Sequence, residues 1–105
     1  MQKLQSTEQF EQLKKEEGVI FLFTADWCVD CRFIEPALPA IEEKYKHLSF
    51  YAVNRDEFID LCGELDILGI PSFVAYDKGE EIGRFVSKDR KTQADIESFI
   101  DQLHA

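Results

Sequence analysis

Apolar and polar positions follow two rhythms along this chain, one helical and one extended. From Ser6 to Glu17 a polar run is broken by Phe10 and Leu13 on one face. Ser6 is placed to cap the first turn, with Gln9 three residues on, and Gly18 to end the helix. Val19 to Thr24 is a continuous apolar run rich in β-formers, which predicts a central strand buried on both faces. Beyond Cys31, the residues Ile34, Leu38, Ile41 and Tyr45 step by four, three and four along a long helix that Pro36 and Pro39 should kink. Ser49 to Val53 reads as a further strand, and Phe58, Leu61, Cys62 and Leu65 as a helical stripe. Phe73 to Tyr76 and Ile82 to Val86 predict two strands around the turn Asp77-Lys78-Gly79. A last helix starts at a Thr92–Asp95 capping pair and buries Ile96, Phe99, Ile100 and Leu103. A weaker strand over Lys3 to Gln5 could come first.

These elements predict an α/β fold: a central mixed sheet of four to five strands with helices on both faces, closed by an antiparallel hairpin. Residues 1–105 read as one domain, without repeat, low-complexity tract or linker. The chain is 45% hydrophobic and 31% charged, enough for an ordinary core. Its net charge of −9 makes nucleic acid a poor partner, since phosphate binding needs a basic face. The longest apolar run is too short for a bilayer, and Met1 to Ser6 carries no signal-like apolar stretch. The expectation is a soluble, cytoplasmic monomer with no membrane association.

Three cysteines, Cys28, Cys31 and Cys62, are too few and too odd for a disulfide scaffold. Cys62 lies on an apolar helical stripe and reads as core. Phe21, Phe23, Phe33 and Phe73 also read as core. Cys28 and Cys31 are different: they fall between the buried strand and the first turn of the next helix. Free N–H groups and the helix dipole there favour a thiolate on Cys28, and two intervening residues let Cys31 reach back to it. Cys28 is expected to be the exposed nucleophile and Cys31 the buried resolver. Trp27 would shield one side. Asp26 and Asp30 flank Cys28 and, as like charges, should disfavour its ionisation, with Arg32 partly offsetting them. Such an acidic rim would prefer positively charged substrate surfaces. Metal binding is the rival chemistry: zinc would need Cys62, His47 or His104 as well, and none has ligand spacing. An iron–sulfur cluster shared between two copies, and a binding module with idle cysteines, are further alternatives.

The segment Trp27-Cys28-Val29-Asp30-Cys31, its strand–helix setting, Pro36 five residues later and Gly69-Ile70-Pro71-Ser72 together resemble the thioredoxin family over nearly the whole chain. Trp-Cys-x-Asp-Cys is similar to a subgroup of thioredoxin-related proteins rather than to those with Gly-Pro between the cysteines. The resemblance implies a thioredoxin fold, a cis Ile70–Pro71 bond beside the cysteines, and substrate contacts at Trp27, Ile70 and Pro71. It implies protein-disulfide oxidoreductase activity and electron transport through a redox-active Cys28–Cys31 disulfide, with no other cofactor and no metal. Partners would be disulfide-containing substrates and a thiol donor such as thioredoxin reductase or glutathione. Three positions depart from the family pattern. Leu22 stands where a buried Asp is expected, Ala52 where a Lys is expected, and Ser87 where a Gly is expected. Without that Asp, resolution by Cys31 should be slower, or should use water or Asp30.

Overall fold

In the computed structural model, which describes residues 1–103, the Val19–Thr24 run forms the strand β2 at the centre of the sheet. Its first five residues are buried, and their side chains alternate between two separate apolar clusters. Val19, Phe21 and Phe23 point to one, Ile20 and Leu22 to the other. The other strands are β1 (Gln2–Lys3), β3 (Ser49–Asn54), β4 (Ser72–Asp77) and β5 (Glu80–Phe85), and the sheet order is β1-β3-β2-β4-β5. β1, β3 and β2 are parallel, with Leu22 opposite Ala52; β4 runs antiparallel to β2, and β5 antiparallel to β4.

The helices cover both faces. α1 (Thr7–Leu13) and α4 (Ile59–Glu64) deliver Phe10, Leu13, Leu61 and Cys62 to the Phe21 side. α2 (Val29–Ile34), α3 (Leu38–Lys44) and α5 (Gln93–Asp101) deliver Ile34, Ile41, Ile96 and Ile100 to the Leu22 side. Each large apolar side chain so buried contributes roughly 1.5–3 kcal/mol. Because β2 is central and held on both faces, the loop at its C-terminal end, where the cysteines lie, has a rigid base.

Several boundaries differ from the sequence expectation, each for a local reason. α1 stops at Leu13, not Glu17. The turn of the β4–β5 hairpin takes the carbonyls that would have prolonged it, with Lys78 N–H on Glu16 O and Gly79 N–H on Lys14 O, both at 2.9 Å. Lys78 and Gly79 both have positive φ, as the favoured two-residue hairpin turn requires. The long helix after Cys31 is broken rather than bent. Pro36 lacks an N–H, and Glu35–Ala37 forms a 3-10 turn between α2 and α3, while Pro39 sits harmlessly in the first turn of α3. β1 lies one residue earlier than expected. Thr92 and Asp95 form the expected reciprocal capping box.

Phe33 is the clearest correction: it is 49% exposed and not core. Cys31 and Ile34, three apart, occupy the inward face of α2, and Phe33 falls outside that stripe. Among the described residues no helix is long and apolar enough to cross a membrane. His104 lies outside the described residues.

Candidate active site

The chain leaves β2 at Thr24 and turns through Ala25 to Cys28, whose N–H donates to Ala25 O at 3.2 Å. Cys28 is the N-cap of α2, in extended backbone (φ −84°, ψ 113°). Its Sγ accepts the Cys31 N–H at 3.2 Å, as a capping oxygen would, and its S–H lies 3.8 Å from Ile70 O. Both thiols are free. Cys28 is 7% exposed and Cys31 1%, so the first cysteine is the more accessible of the pair but far less open than the sequence suggested. Tucking Sγ against the α2 amide and the Ile70 carbonyl accounts for the difference. Burial first, then the hydrogen bond with Cys28, pushes the Cys31 thiol up to about 11, with Thr24 and Ala25 pulling the other way. Cys31 is therefore a protonated thiol at neutral pH.

Ala25 and Ile70 pack on the two cysteines. The Ile70–Pro71 peptide bond is cis. Trp27 is 61% exposed; its Nε1 donates to Asp56 Oδ2 at 2.9 Å, and the Arg55 guanidinium lies 5.9 Å from its ring centre. Val29 and Leu68 are also exposed, so the cysteines open onto an apolar rim. Cys62 is buried in the core cluster of α4, and burial raises its thiol.

The two acidic residues part company. Asp30 Oδ1 accepts from Arg90 Nε at 2.9 Å, and the Arg90 guanidinium lies 4.5 Å over the Phe33 ring. Its compensating cation is thus Arg90 from the segment before α5, not the adjacent Arg32. Asp26 lines a cavity of about 210 Å³ with Lys3, Thr24, Asn54 and Glu57. Leu22, 3% exposed, sits among Ile34, Ile41 and Phe73, so that position carries no proton acceptor. Among the described residues no three His, Cys, Asp or Glu side chains gather as metal ligands.

Residues 1–102 match the family model described as Thioredoxin. The chain belongs to the thioredoxin family. It is 31% identical over 97 residues to "Thioredoxin AMT13" of Alternaria alternata, covering 90% of this chain and 82% of that one. It is 32% identical over 85 residues to "Thioredoxin-2, mitochondrial" of Schizosaccharomyces pombe, covering 81% of this chain and 64% of that protein's length. The solved thioredoxin of Malassezia sympodialis superposes with a TM-score of 0.84 at 29% identity, covering 99% of this chain and 93% of that one. The Fasciola hepatica thioredoxin, at 23% identity and TM-score 0.85 over 99% and 100% of the two chains, shares the fold. Within the thioredoxin family this chain is a thiol–disulfide oxidoreductase acting on protein disulfides.

Sequence reading missed Asp56, Arg90 and Lys91 around the cysteines. Asp56 was the most accessible to inference. It follows β3, parallel to β2, and loops after parallel neighbours meet at one end of the sheet. Arg90 is 60 residues from Asp30 and has no periodicity to mark it.

Proposed function

We propose that this thioredoxin-family protein reduces protein disulfides, with Cys28 as attacking sulfur and Cys31 as resolver. The supporting observation is the asymmetry of the pair. Cys28 keeps the greater surface and holds the Cys31 amide on its sulfur, while Cys31 is buried and protonated. The Cys28 thiolate attacks one substrate sulfur, forming a mixed disulfide and expelling the other as thiolate. That thiolate takes up the proton that Cys31 gives up, through solvent. Cys31 then attacks Cys28 Sγ, closing the Cys28–Cys31 disulfide and releasing the second substrate sulfur, protonated by the proton Cys28 lost. Two electrons pass to the substrate. No metal or other cofactor enters this scheme.

Trp27, Ile70 and Pro71 would hold an extended substrate segment. The Asp56 hydrogen bond fixes the Trp27 ring, and the Ile70 carbonyl stands beside the attacking sulfur. A thiol donor such as thioredoxin reductase or glutathione would return the electrons, which suits the reducing cytoplasm. A monomer suffices, since both sulfurs come from one chain. The test is reduction of insulin disulfides by dithiothreitol with and without the protein. Acceleration supports the reading, and a rate equal to dithiothreitol alone rejects it.

Asp30 and Asp26 would tune the attacking sulfur. Asp30→Asn removes a negative charge beside Cys28 and frees Arg90, so iodoacetamide should label Cys28 faster at neutral pH. Because the Asp30–Arg90 pair is exposed and screened, the gain should stay below about tenfold. An unchanged or slower rate would leave Asp30 a helix-terminus residue only.

A further inference from the structure

The segment between β5 and α5 crosses beside the dithiol and is tied down on both flanks. On one flank the Ser87 carbonyl and Lys88 amide press on Gly69; a Cβ there would stand 2.5 Å from Ser87 O and 2.9 Å from Lys88 N. Gly69 adjoins Ile70, whose carbonyl faces the Cys28 sulfur. On the other flank Arg90 binds Asp30 and covers Phe33, both on α2. Lys91 lies within this strap, 1% exposed. Its Nζ donates to Ser87 Oγ at 3.1 Å and to Ser87 O and Asp89 O at 3.2 Å, and stands 4.9 Å from the Phe85 ring centre.

Three N–H donors thus meet three uncharged oxygens, the full complement of an ammonium. Among the described residues no carboxylate forms an ion pair with it. Asp30 is held by Arg90, Asp95 accepts the Thr92 amide, and Asp89 offers its backbone oxygen. A buried positive charge without a carboxylate costs free energy that a methionine in the same place would avoid. Asp89 and Asp30 favour the ammonium from a distance, and further negative charge arises beside it during the reaction, on sulfur.

We propose that Lys91 is the electrostatic partner of the Cys28–Cys31 pair: its buried ammonium stabilises the attacking Cys28 thiolate and, later, the Cys31 thiolate that resolves the mixed disulfide. Lys91 keeps its proton throughout, so the balance of the exchange is unchanged. The charges around it fit this role. Burial makes the ammonium easier to deprotonate, while Asp89 on the strap, Cys31, Asp30 on α2, and Cys28 each favour it, in that order. The neighbouring Arg90 is neutralised by Asp30. A cation beside a cysteine is an established way to favour its thiolate. The inference rests on the exchange reading given above, and the insulin assay tests that reading separately.

Lys91 is tested by the pH dependence of iodoacetamide labelling of Cys28 in the reduced protein. In Lys91→Met the midpoint should rise by about one pH unit, so that labelling near neutral pH slows by about tenfold while the alkaline plateau is unchanged. Lys91→Arg should stay near wild type. A merely structural lysine would not move the midpoint, and equal profiles in wild type and Lys91→Met would overturn the proposal. If Lys91→Met does not fold, NMR titration of the Lys91 side chain in wild type decides the question. Linkage requires the ammonium to persist to higher pH in the reduced than in the oxidised protein, and identical titrations would overturn it.

Discussion

Cys28→Ser should reduce insulin no faster than the small-molecule reductant alone, because the serine hydroxyl cannot form the mixed disulfide. Cys31→Ser should fail differently: it should still attack, then hold its substrate in a covalent complex that a non-reducing gel resolves and added thiol releases. The asymmetry follows from the structure, in which Cys28 is the more accessible of the two sulfurs and Cys31 is sealed beneath it. The pH dependence carries the same signature. With the Cys31 thiol pushed up to about 11, chiefly by burial, its reactive thiolate is scarce at neutral pH. Resolution of a preformed mixed disulfide should therefore accelerate by up to about tenfold per pH unit below that value. In the mixed disulfide Cys28 carries no charge, which removes the like-charge part of the rise and moves the midpoint below the value in the free dithiol. Stopped-flow release of a chromogenic thiol measures this directly, and a resolution rate flat across neutral pH would contradict the assignment.

Gly69→Ala should cost both stability and activity. The new methyl would stand 2.5 Å from Ser87 O, 2.7 Å from Ser87 C and 2.9 Å from Lys88 N, all of them backbone atoms that cannot rotate away. Overpacking of this kind costs roughly 1–3 kcal/mol. In a domain of this size each kcal/mol lowers Tm by roughly 4–8 °C. Relief requires either the strap or the Ile70 loop to shift, and Ile70 carries the carbonyl facing Cys28. KM for a protein disulfide should therefore rise. Gly63→Ala is the matched control. Gly63 lies in α4, and a methyl added there would meet nothing within 4 Å, so alanine should stabilise by up to about 1 kcal/mol and leave KM unchanged. Equal melting temperatures for the Gly69 variant and wild type would refute the close packing of the strap.

The legible parts of the fold were those governed by one strong local rule. The Val19–Thr24 run is apolar at every position but the last, so a central strand is its only economical use. Thr92 and Asp95 carry both halves of a capping box in four residues. The end of α1 was not legible, because the hairpin amides that claim its last carbonyls belong to residues 78 and 79. Phe33 misled because an aromatic side chain is usually inside. Here the stripe of Cys31 and Ile34 takes the inward face, and Arg90 covers the exposed ring. The site divides the same way. Cys28, Cys31 and the Ile70–Pro71 pair were found from short motifs. Asp56, Arg90 and Lys91 reach the site only through the three-dimensional arrangement of loops.

The central claim is that Cys28 and Cys31 form one reversible two-electron couple. The most direct measurement equilibrates the protein in glutathione buffers of graded potential, quenches the thiols by alkylation, and maps the products by mass spectrometry. The account predicts a single two-electron transition in which a Cys28–Cys31 disulfide appears and Cys62 stays an alkylatable thiol once the protein is denatured. A disulfide that uses Cys62, or a Cys28–Cys31 pair that stays reduced across the whole range, would contradict it.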